Sequence, residues 1–200
     1  MQFGNVIRKR YACKKFADRR IPENKVDELV DSVRLAPSSF GLQTWQIKIV
    51  TDKKTKEKLF PVSYCQEQIT TCSHLLVFCA DTRVAQRIDR YENLMKETGM
   101  PQKKIKQYIG TMRDWAQSLS EEQFLVWCQK QAYIAMTYAL LGATALGFAS
   151  CPMEGFLSKE YSKILELPSY LVPTVLVPIG YVKDKQGPRI RFDKEELLVQ

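Results

Sequence analysis

Two pairs of cations at opposite ends of this 200-residue chain are the first residues whose spacing suggests chemistry. Arg10 and Lys14 are four apart, so on a helix or a compact turn they project in one direction. Arg189 and Arg191 are two apart, so on a strand they share a face. Guanidinium forks bind phosphate oxygens bidentately, and two such pairs converging from the two termini would make a phosphate site. The loop "PSSFG" (Pro37–Gly41) offers hydroxyls and free backbone N–H groups. "CPMEGF" (Cys151–Phe156) offers exposed backbone at a strand end, suited to a flat polar ligand. Taken singly, each feature reads as a solvated charge or an ordinary turn.

Other chemistries lack their residues. No Gly-x-Gly and no Gly-x-Ser-x-Gly occurs, so a dinucleotide fingerprint, a Gly-rich phosphate loop and a nucleophile elbow are not encoded. His74 is the single histidine, set in the apolar "SHLLVFC", and reads as a structural residue rather than half of a Ser/His or Cys/His pair. The six cysteines contain no Cys-x-x-Cys, which argues against a zinc site. Cys65, Cys72 and Cys79 recur every seven residues, but a strand over 75–80 would interrupt any common helical face. Cys13 stands among cations that would lower its pKa. With no resolving thiol close in sequence, packing is the favoured reading.

The elements that must position these residues follow from patterning. A short helix opens the chain, and a second runs from about Pro22 to Leu35 with Ile21, Val26, Leu29, Val30 and Val33 on its apolar face. "WQIKIV" alternates as a strand, and "TDKKTKEKLF" begins a helix capped by Thr51 or Asp52. "HLLVFCA" is a buried strand, followed by a polar helical region over about 82–119. A long helix over about 120–146 opens on a capping box, Ser120 with Gln123. "GFASCPM" is a short strand, and "SKEYSKILEL" is a helix capped at Ser158. "YLVPTVLVPIGYV" is a buried strand whose Pro173 and Pro178 suggest its ends or an edge. The C-terminal "RIRF" reads as a strand without a partner in its own chain, as tails docked on a neighbouring subunit do.

No repeat or linker divides the chain, so residues 1–200 are read as a single domain of mixed α and β class. Thirty Lys and Arg against 22 Asp and Glu give a net charge of +8, which favours anionic partners. The run 132–149, "AYIAMTYALLGATALGFA", approaches membrane-spanning length. Its Ala, Thr, Gly and Tyr content suits a buried helix packed closely on another helix. Cysteines within apolar segments and no secretory signal imply a reduced, cytoplasmic protein.

Together and in order, "RKRYACKKF", "APSSFGLQTWQIKIV", "SYCQEQITTCSHLLVFCA", "ALGFASCPMEGF" and "VPTVLVPIGY" with "GPRIRF" resemble the nitroreductase family of FMN-dependent oxidoreductases. The resemblance implies an α+β fold, a three-layer α/β/α sandwich around a mostly antiparallel mixed sheet. It also implies an intertwined homodimer whose C-terminal strand crosses to the other subunit. Arg10, Arg189 and Arg191 would hold the FMN phosphate, with Tyr11 and Ala12 in the same segment. Lys14 would lie by the ring and support its reduced form. Pro37, Ser38, Ser39 and Gly41, with Gln43 nearby, would approach from the other subunit. Pro152, Met153, Glu154 and Gly155 would face the hydride-accepting edge, and Cys65 and Gln68 would lie beside the ring. Tyr108, Met112 and Trp115 would wall the substrate.

By the same resemblance, NAD(P)H reduces the flavin at N5, and a nitroaromatic, quinone or similar small acceptor then reoxidises it in a ping-pong cycle. No side chain acts as a catalytic acid, base or nucleophile, and no metal, membrane or nucleic acid is involved. Three positions depart from the family: Ala12 where serine is common, Cys65 where asparagine is frequent, and Gln68 where some members carry lysine. The alternatives are a dedicated flavin, quinone or pteridine reductase of this fold, or a protein that holds FMN without turnover. A nucleic-acid binder ranks below both, because the cations are split between the termini and the helices around 53–58 and 103–106.

Overall fold

The computed structural model describes residues 2–199. Its order is α1 (Phe3–Lys9), α2 (Glu23–Arg34), β1 (Trp45–Val50), α3 (Lys53–Leu59), α4 (Gln68–Thr71), β2 (His74–Asp81), α5 (Val84–Glu97), α6 (Gln102–Gln117), α7 (Glu121–Ala145), β3 (Ala149–Ser150), α8 (Ser158–Ile164) and β4 (Leu171–Gly180). The strands form one antiparallel sheet in the order β1-β2-β4-β3. A parallel bridge between Ala12 and Ser150 adds the mixed element at one edge.

Alternation along β2 builds the two interfaces. Leu76 and Phe78 face Val26, Leu29, Ala132, Ala135, Ala139 and Ala143 of α2 and α7. Leu75, Val77 and Cys79 face Leu59, Ile69, Tyr161 and Leu165 on the α3, α4 and α8 side. The result is the expected three-layer α+β arrangement.

The helix α7 opens on the anticipated capping box: Gln123 N–H donates to Ser120 Oγ at 3.3 Å, and Ser120 N–H to Gln123 Oε1 at 3.0 Å. Its small residues permit a close approach to α2, where a Cβ on Gly142 would lie 2.8 Å from Leu29 Cδ1. Among the described residues no helix is long and apolar enough to cross a membrane.

Several elements differ in detail. Asp52, not Thr51, caps α3 by accepting from Thr55 N–H at 2.7 Å. The polar region 82–119 is two helices, α5 and α6, broken at Gly99 (φ 74) and Pro101 and packed as a satellite core around Ile88, Ile105 and Ile109. Ser158 is the first residue of α8 rather than its cap, and its hydroxyl donates to the Pro173 carbonyl at 2.6 Å.

Pro173 and Pro178 sit inside an interior strand, not at its ends. They are tolerated because the groups beside them donate and require no N–H in return: Cys151 N–H donates to the Pro178 carbonyl and the Ser158 hydroxyl to that of Pro173, and the β2 register shifts between Phe78 and Cys79.

No residue of "RYACKKF" is helical, since α1 ends at Lys9. The segment runs extended along the sheet edge, with Cys13 N–H donating to Ser150 O at 3.1 Å and Ala17 N–H to Tyr181 O at 2.8 Å. "RIRF" forms no strand among the described residues.

Candidate functional site

The extended course of residues 11–14 replaces the four-residue projection with a period of two. Tyr11 and Cys13 point one way, to a common acceptor: Tyr11 Oη and Cys13 Sγ donate to Asp184 Oδ1 at 2.8 and 3.1 Å. Lys14 N–H donates to the other carboxylate oxygen at 2.6 Å. Lys14 points the other way, its Nζ 3.5 Å from Cys151 Sγ, and the Arg10 guanidinium acts on that same thiol. Asp184 therefore fixes which face of the segment carries its cations. Burial raises the Asp184 pKa, but the hydrogen bonds from Lys14 N–H, Cys13 and Tyr11 outweigh it and hold the carboxyl below its ordinary value.

The tail completes a cationic cleft of about 230 Å³ lined by Arg10, Tyr11, Ala12, Gly187, Arg189 and Arg191. The Arg189 guanidinium donates to the carbonyls of Ile7 and Arg8 at 3.1 and 3.0 Å, and to that of Arg10. Partial burial, then repulsion from Arg189 and Arg191, lowers the Arg10 pKa. Among the described residues none of Arg10, Lys14, Arg189 and Arg191 is salt-bridged to a carboxylate. Three guanidinium groups gathered without a counter-charge form a cradle for a multiply charged anion.

A second wall stands beside Lys14. Cys151 is buried, and Cys151 N–H donates to Pro178 O at 3.1 Å. Met153 is buried and exchanges both backbone bonds with Leu176, at 2.9 and 3.0 Å, so its N–H is committed to the sheet and cannot face a ligand. The N–H groups of Glu154 and Gly155 have no acceptor among the described residues, and they carry the open backbone of this loop. Pro152 lies half-buried between the two regions.

Gln66 anchors the loop, donating from Nε2 to Gly155 O at 2.9 Å and to Ser63 O at 3.1 Å, and Gln68 Nε2 donates to Gln66 Oε1 at 3.0 Å. Gln68 is buried, so it reaches the loop only through Gln66. Cys65 is exposed and left-handed at φ 51, after Tyr64 at φ 53. Tyr133 Oη reaches across from α7 to donate to Glu154 Oε1 at 2.7 Å, and burial followed by that carboxylate pushes the phenol up to about 12.

Pro37–Gln43 bridges the end of α2 and α7, and none of its hydrogen bonds runs to these groups. Ser39 N–H donates to Gln131 Oε1 at 2.9 Å, Gln43 N–H to Ser38 Oγ at 2.9 Å, and Gln43 Nε2 to Arg34 O at 2.6 Å. The left-handed Phe40 (φ 55) and Gly41 (φ 72) turn the Phe40 ring onto α6, 6.3 Å from Tyr108 and 5.3 Å from Trp115, centroid to centroid. Trp115 in turn lies 4.6 Å from Trp127. Met112 is fully buried in the satellite core behind this aromatic group, where its contacts are with packed side chains.

The thiols are core residues apart from Cys65. Burial and then the Asp184 carboxylate push the Cys13 thiol up to about 11, against the lowering its cationic neighbours suggest from sequence. His74 is buried, with Nδ1 2.9 Å from Ser73 Oγ and Nε2 3.4 Å from Glu23 Oε1. No group of ligating side chains that could hold a metal occurs among the described residues. Sequence reasoning missed Asp184, Gln66, Phe40 and Tyr133. Phe40, Gln66 and Tyr133 stand inside stretches already singled out, but each of the four acts on a segment distant in the chain, which no local pattern reveals.

A sheet sandwiched by helices, with a cationic cleft at its edge and an open loop beside it, defines a three-layer α+β protein. Residues 7–181 match the Nitroreductase family, and the chain belongs to that family. It is similar to a candidate NAD(P)H nitroreductase of Staphylococcus haemolyticus, 29% identical over 97% of this chain and 94% of the relative. Among solved structures it superposes on a candidate nitroreductase of Bacillus subtilis with a TM-score of 0.93, at 23% identity over 99% of this chain and 98% of that one. A candidate nitroreductase of Exiguobacterium sibiricum, solved in complex with FMN, gives 0.91 at 18% identity over 100% and 97%.

Proposed function

We propose that this chain is an FMN-dependent oxidoreductase that draws on NAD(P)H and reduces small flat acceptors such as nitroaromatics and quinones by a ping-pong cycle. The observation that carries the reading is the unpaired trio Arg10, Arg189 and Arg191 at one end of the segment that presents Lys14 to the Cys151–Gly155 loop. The fit to FMN is chemical: a cradle lacking counter-charge for a phosphate, a single ammonium further along, and free N–H donors at Glu154 and Gly155 for carbonyl or ring-nitrogen acceptors.

Bound FMN would supply two-electron chemistry between NAD(P)H and the acceptor. The chain's own residues then bind and polarise. Arg10, Arg189 and Arg191 hold the phosphate, and Tyr11 and Ala12 shape the floor between phosphate and ring. Lys14 keeps a positive charge where negative charge gathers, and it needs no reorganisation because Asp184 has fixed its backbone. Cys65 borders the ring, and Gln68 acts on that edge from behind, through Gln66.

Pro37, Ser38, Ser39, Gly41 and Gln43 belong to the site of a second copy, a reading supported by their hydrogen bonds running to Gln131, Arg34 and one another and none to the Lys14 segment. Phe40, Tyr108 and Trp115 wall the acceptor. The exposed Ile190, Phe192, Leu197 and Leu198 of the tail support a homodimer in which that tail is covered.

Comparing FMN with riboflavin tests the phosphate assignment. Arg10→Ala is expected to weaken FMN binding by about 100-fold, the loss of a charge-assisted contact of about 3 kcal/mol, and to leave riboflavin affinity unchanged. Equal loss for both ligands would remove Arg10 from the phosphate site.

A further inference from the structure

A second group of cations lies away from the cleft above. Lys56 is only 6% exposed, yet its ammonium has one hydrogen bond, from Nζ to Cys72 O at 2.7 Å, and no carboxylate partner among the described residues. An ammonium carries three donors, and charges buried this deeply are normally paired. Lys56 lines a pocket of about 150 Å³ with Arg19, Arg20, Thr51 and Asp18. The Arg19 guanidinium stacks 4.0 Å over the Tyr181 ring, which leaves its N–H edge free, and Arg20 is held by Glu23 at 2.5 Å. With Arg20 already paired, Lys56 and Arg19 face one lining carboxylate, Asp18. No lining residue is shared with the Arg10 cleft.

We propose that this pocket is a second binding site, for a small inorganic oxyanion of the phosphate type. The anion would accept from the spare donors of Lys56, from Arg19 and from the Thr51 hydroxyl, and so supply the counter-charge that Lys56 lacks. Size restricts the ligand, because pockets for drug-sized molecules run to about 300–1,000 Å³, so a nucleotide does not fit. The assignment is independent of the flavin reading.

His74 lies beside the pocket through Ser73 and is the only histidine, so its imidazole resonances report on the site without ambiguity. Burial lowers its pKa, Glu23 opposes this, and Arg20 and Lys56 push in the lowering direction. Inorganic phosphate titrated into the full chain at constant ionic strength should shift the His74 signals saturably and raise the imidazole pKa. Lys56→Met should weaken this at least tenfold, Arg19→Gln several-fold, and Arg10→Ala not at all. AMP should bind at least tenfold more weakly than phosphate.

Shifts that do not saturate, or that persist in Lys56→Met, would show general ionic screening and overturn the proposal, as would AMP binding as tightly as phosphate. If Lys56→Met does not fold, unchanged phosphate affinity in Arg19→Gln would overturn it.

Discussion

Asp184 illustrates how one residue can set a site without touching the ligand. It accepts from Tyr11, Cys13 and Lys14 N–H, so the face on which Lys14 and Arg10 appear depends on it. Asp184→Ala is expected to cost on the order of 2 kcal/mol in urea unfolding, the scale of losing hydrogen bonds to a charged group. It should also weaken FMN binding, and unchanged values for both would contradict the positioning role.

Cys65 makes the opposite kind of prediction. A left-handed backbone disfavours most side chains and is tolerated best by glycine and asparagine. Cys65→Asn should therefore stabilise the fold by roughly 0.5–1 kcal/mol, seen as a higher Tm; a lower Tm would count against strain there. Gln68→Lys should raise the potential of the bound flavin by adding positive charge near Gly155, and an unchanged or lower potential would contradict the place given to that position. At this scale the sequence showed which residue types mattered but not their partners. Arg10 and Lys14 were recognisable as a pair, whereas the alternation that aligns them depends on Ser150 and Asp184, which no local pattern announces.

At the level of elements, legibility followed the strength of local signals. The capping box of α7, the buried run of β2 and the small-residue character of 132–149 are local features, and the structure bears them out. Pro173 and Pro178 misled because a proline's tolerance depends on whether its neighbour asks for an N–H, which is decided by Cys151 and Ser158 and not by β4 itself. The short opening helix is present as α1, whereas residues 11–14 after it take their extended course from pairing with the sheet edge.

The α2–α7 contact makes the element-scale prediction. Gly142→Val would force a side chain against Leu29 and should cost about 1–3 kcal/mol, read by chemical denaturation. A neutral result would mean that α2 shifts freely on α7.

For the whole molecule, acid stability is set in part by Asp81. Burial raises the pKa of this fully buried carboxyl, but hydrogen bonds from Arg83, Arg87 and Gln46 bring it down to about 2. A carboxylate depressed from an ordinary value of about 4 contributes its stability in full above that value and loses it as pH falls toward 2, roughly 2 kcal/mol in all. Asp81→Asn should lower stability at pH 7 and flatten its fall between about pH 4 and pH 2; an unchanged slope would contradict the assignment.

The mixed α and β class was legible from the order of strands and helices, the three layers were what the family resemblance implied, and the structure bears out both. The tail leaves Ile190 83% exposed and Phe192 77% exposed, the observation on which the proposed homodimer rests.

The central claim is that this chain binds FMN and cycles it between NAD(P)H and a small acceptor, and one spectroscopic experiment addresses it directly. The purified protein with FMN should show an oxidised-flavin spectrum that NADH or NADPH bleaches and menadione restores, over repeated cycles. A protein that neither takes up FMN nor consumes NAD(P)H would contradict the account, and bleaching that no oxidant reverses would reduce it to a flavin holder.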